Sequence, residues 1–236
     1  MQFSALILPI FLPVLFWACY HYYKDRHLPE PISHLALAFA LGLGSFYLGM
    51  FMYRMLEFVN LRHDAYALAA TSWPGLFAYS VLAIGVIEEL AKLLPFLLVV
   101  LRFREFDEPI DGIIYASFIA LGFSAVENYY YLQYVSDVEA LARGFAGPVV
   151  HMVFASIWGY YIGRAWLCKK PLLRTIAGAL AVTAVLHGSY DFAVIARPAM
   201  ALPATALLIV LIWLWRLRLI RKLHALPSGP CPSDEE

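Results

Sequence analysis

Val86-Ile87-Glu88-Glu89-Leu90-Ala91-Lys92-Leu93-Leu94-Pro95-Phe96 places three charges in the middle of a run that stays apolar from about residue 76 to residue 101. A charged side chain at the centre of a bilayer costs about 2.5–3.5 kcal/mol on insertion scales. The run is nevertheless long enough to span, since a transmembrane helix needs about 20 apolar residues. Four more ionisable groups sit in comparable stretches: Glu127, His151, His187 and Asp191. Unpaired, these seven residues would offset much of what their apolar neighbours gain. They are therefore expected to face one another inside a helix bundle, where such a cluster marks a functional site.

The rest of the 236-residue chain agrees with a membrane setting. It is 62% hydrophobic and 14% charged, with a mean hydropathy of +0.71, whereas a soluble domain averages about 25% charged residues. The formal net charge is zero, which gives no reason to expect a nucleic-acid partner. Cys19, Cys168 and Cys231 form no metal-ligand spacing and suggest no disulfide framework. The apolar N-terminus lacks a basic leader, so no cleaved signal peptide is expected. The expectation is an all-α bundle of about seven spans, near 3–23, 34–56, 76–101, 110–134, 145–167, 173–196 and 199–217. Gly42, Gly44, Ser45 and Gly49 predict close, central packing for the second span, and Pro148 falls near the start of the fifth. Residues 1–225 read as one domain and 226–236 as a disordered tail.

Basic residues set the expected orientation. Lys24, Arg26, Arg102, Arg104, Arg164, Lys169, Lys170 and Arg174 fall on one side, with Arg216, Arg218, Arg221 and Lys222. Arg54, Arg62, Arg143 and Arg197 fall on the other. The positive-inside rule puts the N-terminus outside and the C-terminus in the cytoplasm. Counted along these spans, Glu88, Glu89, Glu127, His151, His187 and Asp191 lie in one layer, at or just outside the midplane.

The spacings within that layer carry chemistry. Glu88 and Lys92 are i,i+4, and Glu89 and Lys92 are i,i+3, so either pair can meet on a helix surface. Adjacent glutamates point about 100° apart. One can serve as a general base while the other pairs with Lys92. Burial suits a glutamate to proton transfer near neutrality. Glu127, in Phe123-Ser124-Ala125-Val126-Glu127-Asn128, reads either as a third functional carboxylate or as a counter-ion to Lys92. His187 and Asp191 are i,i+4 and share a face, which suits metal ligation or a histidine with its partner. Each has a structural alternative as an ion pair or a local hydrogen bond. Tyr129, Tyr130, Tyr131, Trp73, Trp213 and Trp215 read as interfacial aromatics. Asp107, Glu108 and Asp111 read as solvated, and His21, His27, His34, His63 and His224 receive no role.

Glu88-Glu89-x-x-Lys92, Phe123-x-x-x-Glu127-Asn128, His151 and His187-x-x-x-Asp191, in that order on successive helices, resemble the PrsW family of intramembrane proteases. That family is grouped with CAAX prenyl endopeptidases and bacteriocin-processing proteases. The resemblance spans Glu88 to Asp191. It implies an integral protein of the cell (plasma or inner) membrane that cleaves a membrane-protein substrate near its extracytoplasmic side, in the family's case a single-pass anti-sigma factor. Lys92 follows the glutamates more closely than the arginine of the wider group, and Asp191 stands where asparagine is common there. An ionised aspartate cannot donate to an oxyanion, so Asp191 serves as a metal ligand or stays protonated and donates.

Two mechanisms follow. In one, His151, His187 and either Asp191 or Glu127 hold a zinc ion, and Glu88 or Glu89 takes a proton from its water. In the other, Glu88 with His151 activates water without metal, and His187 donates to the oxyanion. The catalytic candidates are Glu88, Glu89, His151 and His187, supported by Lys92, Glu127, Asn128 and Asp191. The rival classes are a non-catalytic scaffold related to the γ-secretase scaffold subunit and a proton-coupled transporter. A scaffold has no need of paired glutamates, and no inverted repeat supports a transporter.

Overall fold

The computed structural model describes residues 3–24, 29–131, 133–134, 137–196, 198–225, 229 and 231. Every element among them is helical: α1 (Phe3–Lys24), α2 (Ile32–Phe58), α3 (Ala65–Thr71), α4 (Trp73–Tyr79), α5 (Val86–Leu98), α6 (Pro109–Tyr131), α7 (Asp137–Leu167), α8 (Leu172–Ala196) and α9 (Pro198–Ala225). Five stretches are long and apolar enough to cross a membrane: Ile32–Phe58, Pro109–Tyr131, Arg143–Leu167, Leu172–Ala196 and Pro203–Ala225. With no water in the bilayer core to satisfy peptide groups, helices are the expected solution for such stretches.

The span expected at 76–101 is not one α-helix. Between α4 and α5 the segment Ser80–Gly85 is a π-helix, and the backbone stays right-handed helical on both sides of it. Such a bulge re-aims the side chains that follow it and is frequent at functional sites. Upstream, the sequence reading had no counterpart for α3, whose N-terminus Asp64 caps by accepting the backbone N–H groups of Tyr66 and Ala67. α7 begins well before the expected fifth span, which leaves Pro148 inside the helix rather than near its start.

α6 is the central helix. Nearly all of its side chains from Pro109 to Ser124 are buried, against partners on α1, α2, α5, α7 and α9. α2 packs on it backbone to backbone. A Cβ on Gly42 would lie 2.0 Å from the Ile119 carbonyl oxygen, and one on Gly122 2.1 Å from that of Phe39. The small-residue face thus marks a close contact, but the central place belongs to α6, since most of α2 faces outward. Gly112 and Gly159 make the equivalent approach between α6 and α7. On the other side of the bundle, α8 meets the π segment. A Cβ on Gly188 would fall 2.4 Å from the Ser80 carbonyl oxygen, and one on Gly85 2.3 Å from that of Ala184. This contact sets His187 beside the two glutamates.

Several polar residues assigned to solvent or to helix ends are inside. Asp111 is 2% exposed and accepts the backbone N–H groups of Asp107 and Glu108, closing the first turn of α6. Glu30 accepts a hydrogen bond from the Tyr115 hydroxyl and faces Asp111. Arg216, expected in a cytoplasmic flank, is fully buried, donates to Ser117 Oγ and lies over the Trp213 ring. His21 is also fully buried, bonded through Nδ1 to the Trp17 carbonyl. In each case an apolar neighbourhood holds the polar group against a helix it can bond, which a count of span ends does not reveal. Cys168 and Cys231 form a disulfide, contrary to the sequence expectation; Cys19 is free. Apart from Gly229 and Cys231, the tail expected to be disordered lies outside the described residues.

Candidate active site

The six acidic and histidine residues of the expected layer do meet. α5 supplies Glu88, Glu89 and Lys92; α6 supplies Glu127; α7 supplies His151; and α8 supplies His187 and Asp191.

The two adjacent glutamates have opposite environments. Glu89 is fully buried and saturated. Its Oε1 accepts from Lys92 Nζ at 2.7 Å and from His187 Nδ1 at 2.7 Å, and its Oε2 accepts from Trp158 Nε1 at 2.8 Å. Glu88, one helical step away, faces a cavity of about 330 Å³. Its Oε2 has no hydrogen-bond partner and lies 3.7 Å from His187 Nε2. The 100° between neighbours on a helix therefore separates a clamped carboxylate from an open one.

The hydrogen bonds fix both histidines. Lys92 can only donate, so His151 Nδ1 accepts its proton at 3.0 Å. His151 Nε2–H then donates to Glu127 Oε2 at 2.8 Å. Glu127 is thus the partner of His151, with Arg143 Nη2 at 3.6 Å, and is not the counter-ion of Lys92. His187 gives its Nδ1–H to Glu89, which turns Nε2 toward Glu88 Oε2 and Asp191 Oδ2, each 3.7 Å away. Asp191 Oδ2, like Glu88 Oε2, has no hydrogen-bond partner. The two imidazole rings are 5.2 Å apart, and Phe123 and Phe154 pack against them.

This donor set fits a metal ion. Glu88, His151 and His187 each have a ligand-type atom within 4.8 Å of one another; His187 has its Nε2 lone pair for the ion, and His151 would exchange one of its two present hydrogen bonds for it. Glu88 joins the histidines in that group, and Asp191, one of the two carboxylates the sequence offered as third ligand, has its Oδ2 3.7 Å from His187 Nε2. His187 donates its far nitrogen to a carboxylate, the arrangement that orients metal-binding histidines. Four carboxyl groups, those of Glu88 and Asp191 half-buried, share two permanent cations, Lys92 and Arg143, so a divalent ion would offset the excess negative charge where all four are ionised.

Asn128 is buried with neither side-chain atom bonded; it packs beside Gly147 and Ser124 and does not reach the glutamates. Trp158, Arg143 and Tyr53 were not anticipated. Trp158 had a legible signal, since it lies seven residues after His151 on the same face of α7. Arg143 seats its guanidinium 3.9 Å from the Tyr131 ring. Tyr130 and Tyr131, read as interfacial aromatics, line the cavity with Tyr53, Tyr79, Arg62 and His63.

Glutamates and histidines shared among apolar helices and bordering a cavity are the arrangement a hydrolase of the membrane requires. The chain belongs to the PrsW family of intramembrane metalloproteases, whose family model matches residues 30–216. It is 32% identical over 174 residues to Protease PrsW of Bacillus subtilis, covering 73% of this chain and 75% of that protein. It is 29% identical over 219 residues to Protease PrsW of Clostridioides difficile, covering 90% and 88%. The Geobacillus kaustophilus Protease PrsW matches at 31% over 181 residues, covering 75% and 74%. No solved structure matches the chain.

Proposed function

We propose that this intramembrane protease cuts a single-pass membrane protein close to the extracytoplasmic interface, in the manner of anti-sigma-factor processing, with Glu88 as the general base. The observation that carries the assignment is the contrast between the glutamates: Glu89 is committed to three donors, whereas Glu88 alone of the two has a free oxygen at the cavity.

Glu88 takes a proton from water as the water oxygen attacks the scissile carbonyl carbon, and returns it to the leaving amine. Glu89 holds His187 in one tautomer and neutralises Lys92. Lys92 and Glu127 together hold His151 in place. His151 and His187, with Asp191 bordering them, would hold the metal and leave Glu88 free as the base; a zinc ion there would supply Lewis-acid polarisation and a lowered pKa for bound water. Zinc is compatible with the nitrogen and oxygen donors. Asn128 supports the α6–α7 packing beside Glu127.

Residues 1–225 form one membrane domain of seven spans, with 226–236 as a cytoplasmic tail. α1 and the helix running from α4 through the π segment to α5 complete the five longer spans. The N-terminus lies outside the cell membrane and the C-terminus in the cytoplasm. Arg62 and His63, in the α2–α3 connection, border the cavity, so on this orientation the site opens outward. A substrate cut at that level needs little helix unwinding before its peptide bonds are exposed.

The test is cleavage of a single-pass anti-sigma factor by the purified protein in proteoliposomes, with and without exhaustive chelation. Cleavage that Glu88→Gln abolishes, and that chelation stops and zinc restores, is the expected result. Undiminished cleavage by Glu88→Gln would remove the assigned base. Full activity with no metal detected by elemental analysis would remove the metal.

A further inference from the structure

The groups nearest the free oxygen of Glu88 are acceptors. Glu127 and Asp191 carry only acceptor oxygens when ionised, and His187, when neutral with its Nδ1–H given to Glu89, presents a lone pair at Nε2. Hydrolysis turns the carbonyl oxygen into an oxyanion, which needs a donor aimed at it. The carboxylate at position 191 cannot supply one.

The donors of the cavity wall can be sorted by their existing contacts. Arg62 is held by Glu57 at 2.8 Å. His63 lies edge-on to Tyr79. Tyr130 stacks on Phe46, and Tyr131 lies under the Arg143 guanidinium. Tyr53, on α2, is half-buried, lines the cavity and has no hydrogen bond or ring contact among the described residues. Tyr53 therefore shares the cavity with Glu88 and brings to it a hydroxyl that no other described residue engages.

We infer that the Tyr53 hydroxyl is the oxyanion donor of this protease, supplied by α2 to the cavity that Glu88 lines from α5. A substrate strand entering the cavity places its carbonyl oxygen toward Tyr53 and its carbonyl carbon toward the water held by Glu88. Water attacks as Glu88 takes its proton. The C=O electron pair moves to oxygen, where Tyr53 O–H donates without losing its proton. The tetrahedral adduct then collapses, the C–N bond breaks, and the proton on Glu88 goes to the amine.

This inference rests on the proposed hydrolytic role of Glu88, and the experiment separates the two. Wild type, Glu88→Gln, Tyr53→Phe and, as a control outside the cavity, Tyr129→Phe are compared on one membrane substrate. Removing an oxyanion donor costs about 10²–10³-fold in kcat, so Tyr53→Phe is expected to lose that factor with KM within about twofold. Its thermal midpoint and metal content should match wild type, and Tyr129→Phe should keep full activity. The second measurement is binding of a phosphinic peptide, whose tetrahedral oxygens mimic the adduct. Tyr53→Phe should weaken it by the same factor, while an uncleavable amide analogue binds unchanged. If wild type cleaves, Glu88→Gln does not, and Tyr53→Phe keeps its kcat and phosphinate affinity, the role of Tyr53 is overturned and the base stands. If wild type fails to cleave, both fall.

Discussion

Two adjacent glutamates that cannot be told apart by spacing become distinct once their partners are counted. Both i,i+3 and i,i+4 pairings with Lys92 were open, and only the approach of Trp158 and His187 from other helices closes one of them. Isosteric substitutions should split the two roles. Glu88→Gln keeps volume and loses the base, so kcat should fall by at least about 10²-fold with the thermal midpoint unchanged. Glu89→Gln leaves the Lys92 ammonium buried without its counter-charge, a loss of about 3–5 kcal/mol that should lower the midpoint in detergent as well as abolish cleavage. Equal midpoints for the two variants would show that Glu89 is not the clamp. Trp158→Phe removes one donor to Glu89 and should cost about 1–3 kcal/mol, measured the same way. The residues the sequence exposed are those whose charge is anomalous in an apolar span. Tyr53, Trp158 and buried Asp111 were harder to see, because a tyrosine, a tryptophan or an acid near a helix start is ordinary until its neighbours are known.

At the scale of elements, apolar length announced the helices and their order, because nothing but a helix satisfies a backbone in hydrocarbon. It could not announce the π segment, since Ser80–Gly85 differs from α-helix by hydrogen-bond register and not by hydrophobicity. Nor could the small residues of α2 reveal that α6 is the hub; Gly42 specifies a close approach but not which partner is central. The contact between α8 and the π segment positions His187, and it depends on Gly188. Gly188→Ala drives a methyl group into the Ser80 carbonyl and the Val81 Cα, both backbone and unable to step aside. α8 must then withdraw from α5, taking His187 Nδ1 away from Glu89. The expected outcome is a lowered thermal midpoint with loss of cleavage. Gly178→Ala on the same helix meets nothing within 4 Å, and should hold or slightly raise stability, since alanine favours a helix over glycine by about 1 kcal/mol. Parity of the two variants would mean that the α8–π contact does not position the site.

The molecule as a whole carries polar clusters toward opposite ends of α6, and only one belongs to the cavity. The other is Glu30 with Asp111, Tyr115 and, at 3.4 Å from one another, His34 and Glu105. Burial raises the Glu30 carboxyl above its ordinary value near 4.5, outweighing the stabilising hydrogen bond from Tyr115. A raised value in the fold means stability present at acid pH and lost as pH rises through it. Unfolding midpoints should therefore fall from about pH 4 upward, and Glu30→Gln should flatten that slope; an unchanged slope would assign it to other groups. The same end of the molecule tests the orientation. His34 pairs with Glu105 there, and Cys231 reaches Cys168 between α7 and α8. On the proposed orientation this end lies in the cytoplasm, where thiols are kept reduced, whereas the structure joins the two sulfurs. Both statements hold if the pair closes only on oxidation. In intact cells carrying Cys19→Ser, a membrane-permeant maleimide should then label Cys168 and Cys231, and an impermeant one should label neither. After purification in air, alkylation should require prior reduction. Labelling of intact cells by the impermeant reagent would put this end outside. The cavity mouth, bordered by Arg62 and His63, would then face the cytoplasm, and the substrate would be cut from the inner side of the bilayer.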